Sequence, residues 1–173
     1  MTTSVDNPNV ILDAARIRRS VQRIARQIHE DFHSADQLVL VAVDGQGTVL
    51  ADRIAAELVA ISDGNVLSSV LSIHKDEPLQ HEISMSPDVG EQLRGATVVV
   101  VDDVLNSGRT LLYAVRHILG FAPRCVAACV LVDRIHRRFP IRADYVGLSL
   151  STTFQSHITV KLSGDEEDVA LLS

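Results

Sequence analysis

Short runs of apolar residues alternate with polar, glycine-containing turns along most of the chain. Apolar runs with almost no polar position are typical of strands in a parallel sheet that is covered on both faces. The clearest run is 97–101, which contains four consecutive valines. The predicted strands are 38–43, 66–73, 97–101 and 126–132, with two weaker ones near 145–148 and 157–162.

Apolar residues also recur at helical spacing between these strands. A first helix is expected to follow the N-cap Asp13 and to run to about Phe32. A second is expected from the cap Thr48 to about residue 60, and a third over 109–119. The alternation of strand, turn and helix predicts an α/β fold, with a mostly parallel, twisted sheet flanked by helices.

The chain has 173 residues, a length that fits one domain. Three parts are expected to be less regular: a loose N-terminal arm over 1–12, a small hood over 133–160, and a solvated acidic tail over 163–173. The segment 74–94 is polar and contains two prolines. A loop this long in a compact domain is usually functional or mobile.

Composition narrows the class of protein. Apolar residues make up 46% of the chain but aromatic residues only 3%, so the core should be aliphatic. The net charge of −6 argues against broad nucleic-acid binding, although a local basic patch stays open. No run approaches the ~20 apolar residues of a membrane helix, and the N-terminus lacks the pattern of a signal peptide.

The two cysteines lie in one predicted strand. Cys125 and Cys129 are four residues apart, so they would share a face at a separation of roughly 13 Å. A disulfide cannot span that distance. Buried thiols of this kind are expected in a reducing cytoplasm, where we expect this protein to act.

Arginine supplies nearly all of the positive charge, and it suits bidentate recognition of phosphate better than lysine does. One face of the first helix is either a solvated surface or a contact for an anion or RNA; it carries Arg16, Arg19, Arg23 and Arg26. A basic run after the strand 126–132 is either a solvated loop or part of a hood or partner surface. Its members are Arg134, His136, Arg137, Arg138 and Arg142.

The segment 98–110 carries the clearest chemistry. Four valines lead to the adjacent carboxylates of Asp102 and Asp103, and a loop of small residues then enters a helix. Unpaired N–H groups and a positive dipole at a helix start suit a phosphate. The ionised carboxylates accept hydrogen bonds only, so they suit vicinal hydroxyls. A phosphate beside a diol indicates a ribose phosphate.

Two other phosphate-binding loops are excluded by spacing. The segment lacks G-x-x-x-x-G-K-[ST], so it is not a P-loop, and it lacks G-x-G-x-x-G, so it is not a dinucleotide fingerprint. The segment 98–110 resembles the motif with which type I phosphoribosyltransferases bind phosphoribosyl pyrophosphate (PRPP). In that family the two acids hold the ribose hydroxyls and the loop holds the 5-phosphate, with Mg²⁺ on the pyrophosphate.

A closer resemblance covers most of the chain, from about residue 10 to 162. The segments 17–25 and 130–147 are similar to the PyrR family, whose members are both RNA regulators of pyrimidine operons and uracil phosphoribosyltransferases. This resemblance implies a type I phosphoribosyltransferase fold, a homodimer or higher homo-oligomer, a nucleobase or nucleotide as second ligand, and RNA as a further partner.

The resemblance also implies roles for individual residues. Those expected to act in catalysis are Asp102, Asp103 and Lys75, and the two aspartates would contact the metal indirectly, through PRPP. Those expected to bind PRPP or a nucleotide are Val104, Leu105, Asn106, Ser107, Gly108, Arg109, Thr110, Gly45, Gln46 and Gly47. Those expected to bind the base are Asn106, Tyr145 and Phe154, and each of the two aromatic residues fits a place in the core equally well.

The chain departs from the family at several of these positions. The first glycine loop normally reads Lys-Thr-Arg-Gly, but here it is Asp44-Gly45-Gln46-Gly47, so two positive side chains are replaced and an acid is added. In the catalytic loop, Lys75 occupies the position at which the family has an arginine. Asn106 replaces the usual aromatic residue, and a lysine common after Gly147 is absent.

Three functions fit this sequence. The favoured one is a transferase that moves ribose 5-phosphate from PRPP to a base, with uracil expected from the resemblance and a purine left open. The second is a regulator that binds PRPP or a nucleotide and contacts RNA with little turnover. The third is a fold retained for oligomer contacts alone, against which the intact loop 102–110 argues.

Overall fold

A computed structural model describes residues 9–153, 155–163 and 167–173. Its elements, in chain order, are β1 (Asn9–Leu12), α1 (Ala14–Phe32), β2 (Leu38–Val43), α2 (Gln46–Ile61), β3 (Val66–Ser72), β4 (Ser84–Ser86), α3 (Gly90–Leu93), β5 (Thr97–Leu105), α4 (Arg109–Leu119), β6 (Cys125–Asp133), β7 (Tyr145–Ser149), β8 (Ile158–Lys161) and β9 (Val169–Leu172).

Six strands form the main sheet in the order β4-β3-β2-β5-β6-β7. All neighbours pair in parallel except β4, which is antiparallel to β3 at the edge. The central strand β5 is buried on both faces, and its valines alternate between two cores. Val99 and Val101 face one core, whereas Val98 and Val100 face the other. The fold class predicted from the continuous apolar runs is therefore confirmed.

Helices cover both faces of the sheet. The first core receives α1 and α2 through side chains such as Ile24 and Ile54. The second core receives the short α3 and the longer α4 through Leu93 and Ile118. The predicted start of α1 is confirmed, because the Asp13 side chain accepts a hydrogen bond of 2.8 Å from the Arg16 amide.

The two ends of the described chain form a second sheet that the sequence did not reveal. Strand β9 lies between β1 and β8, antiparallel to both. The expected loose arm is wrong for residues 9–12, because Leu12 is buried in the first core. The expected solvated tail is wrong for residues 168–172, because β9 is the middle strand and Asp168 forms a buried ion pair with Arg53, whereas residues 164–166 of that tail lie outside the described residues.

The predicted hood, residues 133–160, does not form one unit in the structure. Within that range β7 belongs to the main sheet, and β8 is the strand that joins the second sheet. The second sheet takes its other two strands from outside the range. Strands β1 and β9 are short and do not alternate buried with exposed positions, so they give only a weak sequence signal and were missed.

At the edge formed by the carboxyl ends of the parallel strands, several element boundaries differ from the prediction. The loop expected from Asp102 begins later, because β5 continues to Leu105. Helix α2 begins at Gln46 after Gly45, so Thr48 is not its cap. Helix α4 spans the predicted 109–119. The carboxyl ends of β2, β5 and β6 consequently meet at one edge of the sheet.

Cys125 and Cys129 lie in the single strand β6, and both are free thiols. Burial raises the pKa of the Cys129 thiol to about 12, so it stays protonated at neutral pH. In the part of the chain that the structure covers, no helix combines the length and the apolarity that crossing a bilayer requires.

Candidate active site

A cleft of about 360 Å³ opens at the carboxyl ends of β5 and β6. Ligands in open α/β sheets bind at this edge. The structure brings Lys75, Asp102 and Asp103 together in the cleft with the whole predicted loop after them. The lining residues are Lys75, Asp102, Asp103, Val104, Leu105, Asn106, Ser107, Gly108, Arg109, Thr110, Leu111, Val130, His157, Ile158, Thr159 and Val160.

The loop before α4 has the geometry of an anion cradle. Gly108 has φ of +87°, a left-handed conformation that favours glycine, and α4 begins there without a side-chain cap. A Cβ atom at Gly108 would lie 2.7 Å from Cγ2 of Ile141. The Ser107 hydroxyl accepts a bond of 3.3 Å from the Arg109 amide. The start of α4 therefore offers backbone donors and hydroxyls to an anion.

The segment after β6 holds this loop in position. The amides of Arg138 and Phe139 both donate to the Ser107 carbonyl, at 2.9 and 3.0 Å. The Arg109 guanidinium lies 5.7 Å from the centroid of the Phe139 ring. The backbone at 138–139 is therefore packed against the anion cradle, although the side chains of Arg138 and Arg142 are exposed.

Asp102 and Asp103 differ in environment. Asp102 is 5% exposed, and its Oδ1 accepts a bond of 2.9 Å from the Asp103 amide. Burial, and then the neighbouring Asp103 carboxylate, raise the pKa of Asp102 from its ordinary 3.8 to about 8, although Lys75 lowers it in part. The raised pKa favours the protonated form of Asp102, which can donate a hydrogen bond as well as accept one, whereas the sequence predicts two carboxylates that only accept.

The loop between β3 and β4 carries Lys75 over the cleft. The Arg109 guanidinium donates to the Asp76 carbonyl at 3.3 Å, and the Glu77 amide donates to Nδ1 of His74 at 3.0 Å. The first contact joins the loop to the start of α4, and the second lies within the loop. The Lys75 side chain itself is exposed, as a group that meets a ligand from solvent must be.

One group in this loop could hold a metal ion. The ligand atoms of His74, Glu77 and His81 all lie within 4.8 Å of one another, and the three residues are exposed. Imidazole nitrogens suit transition metals, whereas Mg²⁺ prefers oxygen ligands. The side-chain oxygens of Asp102 and Asp103 lie in the cleft, and oxygen is the ligand type that Mg²⁺ prefers.

The first glycine loop, 44–47, adjoins the cleft, but its residues do not line the cleft wall. Gly45 has φ of +106°, and Gly47 lies so near β5 that a Cβ there would be 3.0 Å from the Val101 carbonyl oxygen. The Gln46 side chain accepts a bond of 2.7 Å from the Leu162 amide. Gln46 thus binds the second sheet, and the backbone of the loop is what can face a ligand.

Tyr145 does not contribute to the cleft. It is 5% exposed at the start of β7, and its hydroxyl donates to Asp31 at 2.6 Å. Its ring packs edge-on against Phe32 of α1, with ring centroids 6.5 Å apart. The prediction that Tyr145 stacks on a base is therefore wrong, because the side chain faces the core under α1. Phe154, the other predicted aromatic contact, lies outside the described residues.

Arg134 is buried, contrary to its expected place in a solvated or partner-facing run. It is 8% exposed and lies at the end of β6. Its guanidinium donates to Asn106 Oδ1 and to Thr152 Oγ1, both at 3.0 Å, and to the Thr153 carbonyl at 3.3 Å. Arg137 is also engaged, in an ion pair with Asp133. The sequence shows the charges of this run but not which of them turn inward.

Sequence reasoning missed a wall of the cleft. His157 and β8 line it, because the second sheet folds over the carboxyl end of β5. The pattern at 157–162 predicted a strand, which is confirmed, but nothing in that pattern indicates which sheet it joins. The sequence shows the charge of Arg134, but its contact with Asn106 is visible only in the folded structure.

Comparison with known proteins agrees with this geometry. The phosphoribosyl transferase domain family matches residues 9–163. The chain is 38% identical over 170 residues to the bifunctional protein PyrR of Pelotomaculum thermopropionicum, an alignment that covers 94% of both chains. It is 37% identical over 164 residues to the bifunctional protein PyrR of Brevibacillus brevis, with 91% of each chain covered.

Solved structures share the fold. The hypoxanthine phosphoribosyl transferase of Trypanosoma cruzi superimposes with a TM-score of 0.76 at 20% identity, over 99% of this chain and 95% of that one. A hypoxanthine-guanine phosphoribosyltransferase of Bacillus anthracis gives a TM-score of 0.73 at 22% identity, over 96% and 99%. With its family match, its PyrR relatives and its cleft, the chain belongs to the phosphoribosyltransferases, and among them to the PyrR family.

Proposed function

We propose that this protein transfers ribose 5-phosphate from PRPP to a nucleobase, with uracil as the base and pyrophosphate as the other product. The main support for this proposal is the arrangement of three side chains and one helix start in the cleft. The acidic pair Asp102 and Asp103 lies beside an uncapped helix start, in one cleft with Lys75. An anion cradle next to two carboxyl groups suits a phosphorylated sugar with free hydroxyls.

The start of α4 would hold the 5-phosphate. Backbone N–H groups at a helix start point at an anion, and the hydroxyls of Ser107 and Thr110 add donors. The left-handed Gly108 lets the backbone approach the ligand closely. Because the segment 138–141 packs on the other side, this cradle is formed before the ligand arrives.

The acidic pair would position the ribose. A protonated Asp102 can donate to one ribose hydroxyl and accept from another, and the Asp103 carboxyl adds further acceptor oxygens. Fixing the sugar in this way aligns its anomeric carbon for attack, and positioning is a large part of catalysis in such reactions. The burial that raises the pKa of Asp102 also keeps water away from the sugar.

Lys75 would neutralise charge on the departing pyrophosphate, together with the N–H groups of the loop 45–47. Mg²⁺, when bound to the pyrophosphate, would supply further neutralisation; the carboxyl oxygens of the cleft suit that ion, which keeps several waters. Asp44 is an acid where the PyrR resemblance leads us to expect a lysine. We therefore expect weaker pyrophosphate binding than in relatives with the basic loop.

A regulatory role is the second candidate. The loop 44–47 lacks basic side chains, which favours ligand binding with slow turnover. On the face of α1 that was expected to contact an anion or RNA, Arg19 and Arg26 are exposed and so accessible to an RNA phosphate backbone. Arg23 of the same face instead donates to the carbonyls of Val146 and Gly147. In the form that we propose, the protein is a homodimer or higher homo-oligomer, as the PyrR resemblance implies.

The test is turnover. Purified protein would be incubated with PRPP and Mg²⁺, and pyrophosphate release would be followed with uracil and, separately, with hypoxanthine. Release that depends on uracil supports the proposed reaction, and release with hypoxanthine alone would replace uracil by a purine. Bound PRPP without release on either base would contradict the transferase and favour the regulator.

A further inference from the structure

A turn in the loop between β3 and β4 brings together side chains that can ligate a metal ion. The Gln80 amide donates to the Glu77 carbonyl at 3.1 Å, which closes a four-residue turn. Pro78 occupies the second position of this turn, a position that proline favours. Beyond the turn, Nε2 of His81 lies 3.7 Å from Oε2 of Glu77. The turn thus places an imidazole beside a carboxylate.

His74 completes the group from the start of the loop. Its ring stacks on the ring of His81, with centroids 4.2 Å apart and 22° between the planes. Its Nδ1 accepts a hydrogen bond of 3.0 Å from the Glu77 amide. The ligand atoms of the three residues lie within 4.8 Å of one another, and all three residues are exposed. The ligands are therefore already gathered where an ion can reach them from solvent.

Coordination needs only a small rearrangement of these side chains. Tetrahedral bonds of about 2.0–2.2 Å place ligand atoms roughly 3.4 Å apart, so the group must close by roughly 1 Å. Exposed side chains can make that movement by small rotations. His74 would give up its hydrogen bond from the Glu77 amide. One exposed hydrogen bond contributes little beside three bonds to a metal ion.

The ligand set selects the class of ion. Two imidazole nitrogens and one carboxylate hold zinc in sites that keep a fourth position open. Mg²⁺ prefers oxygen ligands in near-ideal octahedral geometry, which this group does not offer. Within the ranges that the structure describes, no other group of three or more histidine, cysteine or acidic side chains converges in this way. A zinc-class ion is therefore expected at this loop.

An ion at this position would act on the cleft through Lys75. Lys75 lies between two of the ligands in the chain, and its side chain lines the cleft. The next residue, Asp76, accepts a hydrogen bond of 3.3 Å at its carbonyl from the Arg109 guanidinium. A ligand that binds one arrangement of a loop better than the others increases the population of that arrangement. The arrangement in which the three ligands converge is the one with Lys75 at the cleft.

We propose that the loop between β3 and β4 binds one divalent transition-metal ion, Zn²⁺ or an ion of similar ligand preference, and that this ion holds Lys75 at the cleft. The ligands are His74, Glu77 and His81. The site is separate from any Mg²⁺ that PRPP brings. The inference does not depend on the proposed reaction, because the loop binds the ion without PRPP.

Calorimetric titration of the full chain with Zn²⁺ tests the site, after bound metals have been removed with a chelator. We expect one ion per chain, which an excess of Mg²⁺ does not displace. His81→Asn should weaken the binding at least about tenfold, since even the loss of an outer partner of a metal ligand costs roughly 10–100-fold. Co²⁺ can replace Zn²⁺ to report the coordination, because its visible absorption intensifies when the hydrated ion becomes four-coordinate.

His33→Asn is the matched control. His33 is an exposed histidine directly after α1, and its ring centroid lies 6.3 Å from that of His29. This variant should bind Zn²⁺ as tightly as the wild type does. Absence of binding to the wild type, no effect of His81→Asn, or equal weakening in the two variants would overturn the proposal, since zinc would then not be held by the loop.

Hydrogen exchange measures the effect of the ion on the loop. Zn²⁺ should slow the exchange of amides in the segment 74–82 of the wild type and leave the same segment unchanged in His81→Asn. Zinc binding without slower exchange would overturn the claim that the ion holds Lys75. Neither measurement contains PRPP, so the metal site and the proposed reaction can each fail without the other.

Discussion

Gly47, in the first turn of α2, lies against the backbone of Asp102 at the end of β5. A Cβ atom at Gly47 would be 3.0 Å from the Val101 carbonyl oxygen, 3.2 Å from Cα of Asp102 and 3.5 Å from its Oδ1. Two of these neighbours are backbone atoms in the central strand, which cannot yield easily. The proposed pyrophosphate loop and the acidic pair are therefore in direct contact.

Gly47→Ala should consequently move Asp102 and weaken PRPP binding by about tenfold or more, since small misplacements of positioning groups have large effects. Calorimetry with PRPP and Mg²⁺ measures the change. Gly64→Ala is the control, because the nearest atom to a Cβ there is the Ser62 hydroxyl at 3.5 Å. Unchanged affinity in Gly47→Ala would contradict the contact on which this prediction depends.

Because the pKa of Asp102 is raised in the folded protein, the free energy of unfolding should depend on pH. The carboxyl titrates at 3.8 ordinarily and at about 8 in the folded protein, so the folded state binds the proton more tightly than the unfolded state. Stability is then lost as the pH rises from about 4 to about 8, by up to about 1.4 kcal/mol per pH unit.

Asp102→Asn removes this loss because the amide does not ionise. Urea unfolding between pH 5 and pH 9 should show the variant gaining stability over the wild type as the pH rises, with the gap levelling off above about pH 8. Asp63→Asn, at an exposed turn, should run parallel to the wild type. A gap for Asp102→Asn that does not grow with pH would show that Asp102 is ionised throughout.

Gly108 is expected to be needed both for its positive φ and for the close approach of Ile141. Gly95 shares only the positive φ, so the two effects can be measured separately. Gly95 also has a positive φ, of +68°, but nothing lies within 4 Å of a Cβ there, whereas at Gly108 Ile141 lies at 2.7 Å. Gly95→Ala should cost about 1 kcal/mol of unfolding free energy from backbone strain alone. Gly108→Ala should cost more and also abolish binding of ribose 5-phosphate. Equal effects on stability would mean that Ile141 moves aside.

The ion pair between Arg53 and Asp168 fastens the second sheet to α2. Asp168 is 4% exposed, so Arg53→Met would leave a buried carboxylate without this partner. We expect a loss of about 2–4 kcal/mol in unfolding free energy, at the lower end because the Arg53 side chain is partly exposed. Urea titration measures it. Arg53→Met with Asp168→Leu should recover part of the loss, and an additive double variant would argue against the pairing.

Most of the main sheet was predictable because its central strands are continuous apolar runs and its long helices have clear periodicity, whereas β4 and α3 were not predicted. The loop after β5 was predictable as part of a cleft because its residues are contiguous in the sequence, and its binding of a ribose phosphate stays a prediction. Contacts between distant segments were not predictable. The burial of Arg134 and its bond to Asn106 join residues 28 positions apart, and neither residue type indicates the other.

The small sheet was missed for a related reason. Strands β1 and β9 are four residues long; β1 runs from exposed to buried positions, and β9 has one buried residue among partly buried ones. The acidic residues before β9 suggested a solvated tail, but Asp168 is neutralised by Arg53 from α2. Tyr145 was assigned to the base because it lies in a family-like segment, whereas its partner Asp31 on α1 draws the ring into the core.

Calorimetric titration of PRPP in the presence of Mg²⁺ tests the central claim most directly. The wild type should bind with one site per chain, and the double variant Asp102→Asn with Asp103→Asn should bind at least about tenfold more weakly while remaining folded. That result would assign the ribose phosphate to the cleft at the end of β5. Absence of binding to the wild type, or equal binding to the double variant, would contradict it.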